Sequence, residues 1–351
     1  MEIKSILQFN KKDLGDLLTK VTFHENDIKS SKESKSYFKR SIETFFSNPV
    51  VKFSIIMLII VTILILVAFL ICPYKYDEII EVNGIRDISA KNLAPFEYSN
   101  LELEVIKNGG KIFPHMFGTD SLCRDYFSRC MVGTLLSLCI GIIASVLVIF
   151  IGVIYGSIAG FAGGKVDLIM MRIVDVIHSI PDMLIIILLS VLLREIAPMS
   201  NKGIFNTFGP NIFSMFVVYA LLYWVSMART VRGQILSIRE RDYITALKIM
   251  GASKKRIIIK HIIPNCLSVI FIAVALQIPS AIFTESYLSF VGMGVEEPMP
   301  SLGSLASNAL PEISTNTYKL LLPSLLIVMI VLSFNLVGNA LRDAFDPKSN
   351  I

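Results

Sequence analysis

Side chains that could carry charge, bind a partner or move a solute are concentrated at three places in this 351-residue chain. The first is the stretch MMRIVDVIHSIPDML. Here Arg172, Asp175, His178 or Ser179, and Asp182 recur every three to four residues and so share one helical face. A charged side chain at the centre of a lipid-embedded helix costs about 2.5–3.5 kcal/mol on insertion scales, so such residues persist where they pair or line water. Arg172 and Asp175 stand at i and i+3 and can pair. Two roles suit them: an interfacial ion pair that fixes the helix, or contact with a solute. Pro181 bends or locally unwinds the same stretch, as a gate would require. The second place is Glu285 in TESYLSFVGMGVEEPMPS, near the end of a later apolar run. An acid there either faces a path through the membrane or caps a neighbouring helix. The third is Arg229 to Asn265, where nine basic residues are opposed by two acids, Glu240 and Asp242.

None of these is a catalytic arrangement. The GGK at Gly163 to Lys165 resembles a phosphate-binding loop only in part. Ala159 stands at the first glycine position, and Val166 stands where Ser or Thr must ligate magnesium. The chain is therefore expected not to hydrolyse nucleotide and to bind no cofactor of its own. The four histidines, His24, His115, His178 and His261, are scattered, without metal or nucleophile-base spacing. The five cysteines show no CxxC, and packing is their expected role, although Cys123 and Cys130 are expected near the outer face, where a disulfide is conceivable. A net charge of +5 fits the positive-inside bias of a membrane protein rather than nucleic-acid binding.

The elements that must position these groups are membrane spans. The chain is 54% hydrophobic and 17% charged, against roughly 45–50% and roughly 25% in soluble domains. Its apolar residues fall in runs of about 20, the length that crosses a ~30 Å hydrocarbon layer. Six spans are expected, at 53–72, 131–161, 167–193, 211–228, 265–290 and 320–341. The expected class is an all-α integral membrane protein. Residues 1–52 are expected to form a leader ending in an interfacial helix, because Phe38, Ile42, Phe45 and Phe46 share one face, the alternative being the frayed start of the first span. A polar segment, 73–130, separates the first span from a five-helix core over 131–341, and 342–351 form a tail. No signal peptide precedes the first apolar run. Six spans put both termini on one side, and the basic loop makes that side the cytoplasm.

Small residues recur along the second span, at Gly152, Gly156 and Gly160 and at Ser137, Gly141 and Ser145. In lipid this spacing lets helix backbones approach closely, so a tightly packed bundle is expected. Within the basic loop, Ile238 to Met250 is expected to form one helix ended by Gly251. Ser253 then caps a second short helix, Lys254 to Ile262, which Pro264 stops as the fifth span begins. Spacing alone leaves two uses open for this loop: docking a partner protein, or resting on anionic lipid.

Resemblance separates them. Thr245-Ala246, Gly251-Ala252-Ser253 and His261-Ile262-Ile263-Pro264-Asn265 together resemble the E-A-A-x3-G-x9-I-x-L-P loop of bacterial ABC importer permeases. The GAS…HIIPN form is similar to the oligopeptide/dipeptide/nickel branch. HMFGTDSLCRDYFSR (His115 to Arg129) is similar to that branch's HPFGTDSLGRDVFSR. MRIVDV, ARTVRGQILSIRERDY, TESYLSFVGMGV and FNLVGNALRDAFDPK also match. The resemblance implies the second, C-type permease, a half-pore in a bacterial cell membrane. Its implied partners are a homologous B-type permease, two ATPase subunits that hold ATP and magnesium, and an extracytoplasmic solute-binding protein. It implies ATPase coupling through Thr245, Ala246, Gly251, Ala252, Ser253, Lys254, Lys255, Arg256, His261 and Pro264. Arg172, Asp175, Pro181, Asp182 and Glu285 are the candidates for pore or gate. Three positions depart from the pattern: Thr245 replaces the usual Glu, Leu247 the second Ala, and Cys123 a Gly. Peptides are the expected substrate, with nickel or another small solute as the alternative. An ion-driven secondary transporter would call for inverted repeats and mid-membrane charges, and neither is visible. A non-transporting receptor or anchor stays open on the sequence alone.

Overall fold

A computed structural model of the chain describes residues 37–196, 204–295 and 297–345. The leader 1–36 and the end of the tail, 346–351, lie outside them. Helix α1, Tyr37–Ser47, is separate from the first span. The break between them is built locally: the Asn48 side chain accepts the Val50 N–H, and Pro49 sits in the first turn of α2, Pro49–Leu70. On α1, Ile42 and Phe46 are exposed and Phe45 is half-buried, as an interfacial helix requires.

The polar segment after α2 is a small folded unit rather than a loop. Strands β1, Glu81–Val82, and β2, Ile85–Arg86, pair antiparallel. Asn83 and Gly84 join them, both at positive φ, as a two-residue hairpin turn demands. Helix α3, Asn100–Lys107, opens on a reciprocal capping box between Ser99 and Glu102. Ile80, Ala90, Leu93 and Cys123 form the unit's own core. Cys123 and Cys130 are both free thiols, so they serve as packing residues.

Helix α4, Tyr126–Ala162, begins ahead of the expected 131 because Asp125 caps it, accepting the Ser128 N–H at 2.8 Å. Its 37 residues make a rod of roughly 55 Å. Then come α5, Gly164–His178, and α6, Asp182–Ile196. Helix α7, Ile204–Val218, continues through a π turn, Tyr219–Tyr223, into α8, Trp224–Arg239. Helix α9 is Asp242–Ile249 and α10 is Lys254–Ile257. A second π turn, Ile258–Ile262, leads into α11, Ile263–Phe290. Helices α12, Leu302–Ala309, and α13, Tyr318–Ala344, complete the described chain.

Among the described residues, five continuous helices are long and apolar enough to cross a membrane: Pro49–Leu70, Tyr126–Ala162, Asn211–Arg239, Lys254–Phe290 and Tyr318–Ala344. With the α5–α6 pair they correspond to the six expected spans. The third, fourth and sixth spans differ from expectation as well. The third span is not one helix: Pro181 splits it into halves of 15 residues each. The fourth does not stop at Ala228 but runs on to Arg239, because its polar residues find partners on α4 and α5. The sixth continues to Ala344, so the tail begins inside a helix.

Helix α4 is the axis of the bundle. One face, carrying Gly152, Gly156 and Gly160, lies against Met227, Ala228, Val231, Arg232 and Ile235 of α8. A Cβ added at Gly156 would come within 2.5 Å of the Ala228 carbonyl oxygen. The other small-residue face meets α11, where Gly141 lies against Ile282. Helices α2 and α13 close the bundle beside α4 and α11 around Val61, Met131, Ile282, Leu326 and Ile330.

Candidate functional site: a basic elbow and the helices it leans on

The elbow, residues 240–253, hangs from the ends of α8 and α10. Helix α8 ends at Arg239, and Glu240 and Arg241 turn the chain. The expected single helix over Ile238 to Met250 is therefore divided, Ile238 and Arg239 ending α8 and Asp242–Ile249 forming α9. Gly251, at φ +78°, ends α9 in the left-handed conformation that glycine adopts without strain. Ser253 caps α10 by accepting the Arg256 N–H at 3.3 Å.

The expected stop at Pro264 is not made. Helix runs from Lys254 to Phe290 without interruption. A proline ring clashes with the carbonyl four residues back, and the π turn over Ile258–Ile262 makes room for it. There the Ile263 N–H reaches five residues back to the Ile258 carbonyl. The second short helix expected over Lys254 to Ile262 is thus the root of the fifth span. The separate short helix is α9.

The elbow is seated by apolar packing and held by cations. Ile238, Ile244, Ile257 and Ile262 are fully buried in one cluster, with Leu247 and Ala252 packed against it. Arg232 donates two hydrogen bonds of 2.6 Å to Asp167 of α5. Arg229 donates to Asp175 at 2.8 Å, and Arg239 donates to the Gly160 carbonyl at 3.1 Å. Lys248 lies 5.8 Å from the centre of the Phe161 ring.

These pairings correct one expectation. Asp175 pairs with Arg229, not with Arg172, which is exposed. Arg229, Arg232 and Arg239 stand at i, i+3 and i+10, which is one helical face. That period was the available signal, and it was hidden while the segment was read as a loop.

The outward face of the elbow is partly apolar. Ile249 is 83% exposed and Met250 78% exposed, at the tip of α9. Thr245 and Ala246 lie exposed on the same helix. Lys254, Lys255 and Arg256 are exposed in the first turn of α10. His261 is half-buried in the π turn, where the Asn265 amide donates to its carbonyl at 2.6 Å, and Pro264 is exposed.

Of the remaining candidates, Pro181 is exposed at the α5–α6 break. Asp182 opens α6, and its side chain lies outside the described residues. Glu285 is far from the elbow and fully buried. It accepts hydrogen bonds from Ser137 of α4 at 2.6 Å and from Ser289 at 2.7 Å, with Ser286 at 3.3 Å. Here it ties α4 to α11. Ser137 was visible in the sequence only as a small residue, because the pairing spans 148 positions.

At the opposite end of the bundle, His115 is wholly buried between two carboxylates, 2.9 Å from Asp125 and 2.9 Å from Glu102. Burial by itself lowers its pKa, but the two carboxylates outweigh that and raise it to about 9. Asp125 is also the cap of α4, so this network joins the polar unit to the longest span. Among the described residues, no group of three His, Cys, Asp or Glu side chains is placed to hold a metal ion.

Residues 152–351 match the family model described as binding-protein-dependent transport system inner membrane component. Residues 36–95 match the N-terminal TM domain of oligopeptide transport permease C. The chain is 37% identical over 321 residues to the oligopeptide transport system permease protein OppC of Bacillus subtilis (strain 168), covering 91% of this chain and 92% of that one. It is 41% identical over 235 residues to the dipeptide transport system permease protein DppC of the same organism, covering 67% and 69%. It is 33% identical over 316 residues to OppC of Escherichia coli (strain K12), covering 90% and 93%.

Proposed function

This chain belongs to the inner membrane components of binding-protein-dependent transport systems, and from that premise we propose that it forms half of an import pore for peptides. The other half is a homologous B-type permease. Two ATPase subunits, which carry the ATP and magnesium, dock on the elbow from the cytoplasm, and a binding protein delivers peptide from the opposite face. Both termini then lie in the cytoplasm.

The observation that carries this reading is the short helix α9 with Ile249 and Met250 exposed at its tip. An exposed apolar tip followed within a few residues by the exposed Lys254, Lys255 and Arg256 suits a docking knob, an apolar centre with a charged rim. Those three cations also crowd the first turn of α10, which is the wrong end of a helix dipole for positive charge. An acidic rim on a partner relieves that placement.

The elbow is braced on α4 and α5 through Arg239 and Arg232, so a push on α9 moves the bundle as a body. Closure of the ATPases tilts the spans between two openings.

The test is reconstitution with two ATPase subunits, a B-type permease and a solute-binding protein. Met250→Cys is expected to crosslink to an ATPase subunit, and Gly251→Pro to abolish peptide uptake while leaving insertion intact. Full uptake by Gly251→Pro, or labelling of Met250→Cys from the outside of the cell, refutes the assignment.

A further inference from the structure

Three departures from ideal helix meet around one open cleft on the flank of the bundle. One is the α5–α6 break at Ser179–Pro181. Another is the π turn Tyr219–Tyr223, and the third is Pro279, inside α11. Irregular backbone at membrane depth is tolerated only where protein buries it or where it lines water. Here the residues at and beside these departures line a cleft of about 410 Å³. Gln277, on its wall, lies 13 residues from the end of α11 at Phe290, or roughly 20 Å along the helix. The cleft is therefore well inside the membrane-spanning part of the chain.

Its polar lining comes from His178, Ser179, Tyr223, Ser226, Gln277 and Ser280. No Asp, Glu, Lys or Arg is among its described lining residues. The side-chain nitrogen of Gln277 is buried and has no hydrogen-bond partner among the described residues. A buried donor left unmade costs about 1–3 kcal/mol, so its presence calls for a partner during the working cycle. The volume falls within the ~300–1,000 Å³ usual for small-molecule sites.

Resting on the peptide-permease reading above, we propose that this cleft is where the peptide main chain passes this subunit, hydrogen-bonded by the Gln277 amide and the hydroxyls of Tyr223, Ser226 and Ser280. Neutral groups that both donate and accept match main-chain N–H and C=O, which every peptide carries whatever its side chains. A wall with no fixed charge discriminates little between acidic and basic side chains. The cleft belongs to the moving parts, because two of its walls are helix interruptions.

The test uses the whole transporter in proteoliposomes, with Ser226→Cys, Gln277→Cys and Ser280→Cys compared with the unaltered chain. A water-soluble, charged thiol reagent is expected to inactivate these variants about tenfold faster than the unaltered protein, and saturating peptide with binding protein is expected to slow that reaction at least about fivefold. In parallel, Gln277→Leu is expected to slow uptake of trialanine, trilysine and triglutamate by one shared factor of about ten, the equivalent of about 1.4 kcal/mol. Cysteines that react no faster than the unaltered chain, or that peptide does not protect, overturn the path and make the cleft a seat for the second permease. Reaction and protection with unequal factors for the three peptides overturn main-chain recognition. An unaltered transporter that carries no peptide at all sinks the peptide reading itself, and this proposal with it. A variant that fails to assemble is read out by co-purification with the second permease, and the other two cysteine positions then decide.

Discussion

Arg232 grips Asp167 with both prongs of its guanidinium, Nε to Oδ1 and Nη2 to Oδ2, each at 2.6 Å. The pair joins α8, which leads into the elbow, to the first turn of α5. It is only partly exposed and its geometry is bidentate, which separates it from ordinary surface ion pairs. Asp167→Asn and Arg232→Gln are each expected to destabilise the purified transporter. A double-mutant cycle should return an interaction of roughly 0.5–3 kcal/mol. Thermal unfolding in detergent measures it, and strict additivity of the two substitutions would deny the pair a role.

The glycines of α4 and α8 make a sharper contrast. Gly156→Ala places a methyl 2.5 Å from the Ala228 carbonyl oxygen, whereas Gly233→Ala meets nothing within 4 Å. Forcing atoms into that contact is expected to cost about 1–3 kcal/mol. Gly233→Ala is expected to be neutral or stabilising by up to about 1 kcal/mol, since alanine favours helix. Melting temperatures of the two variants, measured side by side, check the sign of each.

That contrast also shows what the chain made legible. Spacing alone announced the close approach at Gly152, Gly156 and Gly160, because small residues every fourth position imply one seam. The spans were legible from apolar run length, and the Gly251 cap from glycine's left-handed preference. What stayed hidden depended on partners distant in sequence. Glu285 finds Ser137, and Arg229 takes Asp175 from its near neighbour Arg172. Pro264 misled for a different reason. A proline adds a clash with the carbonyl four residues back, but a π turn relieves it without ending the helix.

His115 gives the polar unit a pH dependence with a definite sign. Its folded pKa, about 9, is above the ordinary histidine value of 6.5. The stabilisation is therefore complete below about pH 6.5 and disappears as the pH rises through about 9. Protease cleavage within residues 73–125 is expected to accelerate over that window. In His115→Gln the same window should be flat and the unit should be loose at every pH. A cleavage rate in the unaltered protein that does not change between pH 6.5 and 10, after correction for the protease's own profile, contradicts this.

Ser137 provides the last prediction. Replacing it with Ala removes one donor from the buried Glu285 carboxyl group, which is expected to cost about 1–3 kcal/mol. Ser137→Thr keeps the hydroxyl but adds a methyl at the α4–α11 seam, so it should fall between. Urea or thermal unfolding of the three proteins ranks them. Equal stability of Ser137→Ala and the unaltered chain would mean that the hydrogen bond contributes nothing.

Because no joint forms at Pro264, the helix from Lys254 to Phe290 is one stiff strut of 37 residues, roughly 55 Å long. Its root sits beside Gly251, and Glu285 rides near its far tip. A strut pivoting about its middle trades displacement at one end for opposite displacement at the other. On the proposed coupling, a sideways shove on α9 acts at the root of this strut, whose far end is fastened to α4 where Glu285 meets Ser137. Past the first turn of α11, which holds Pro264, the proline inside the helix is Pro279, and that is where such a strut would flex.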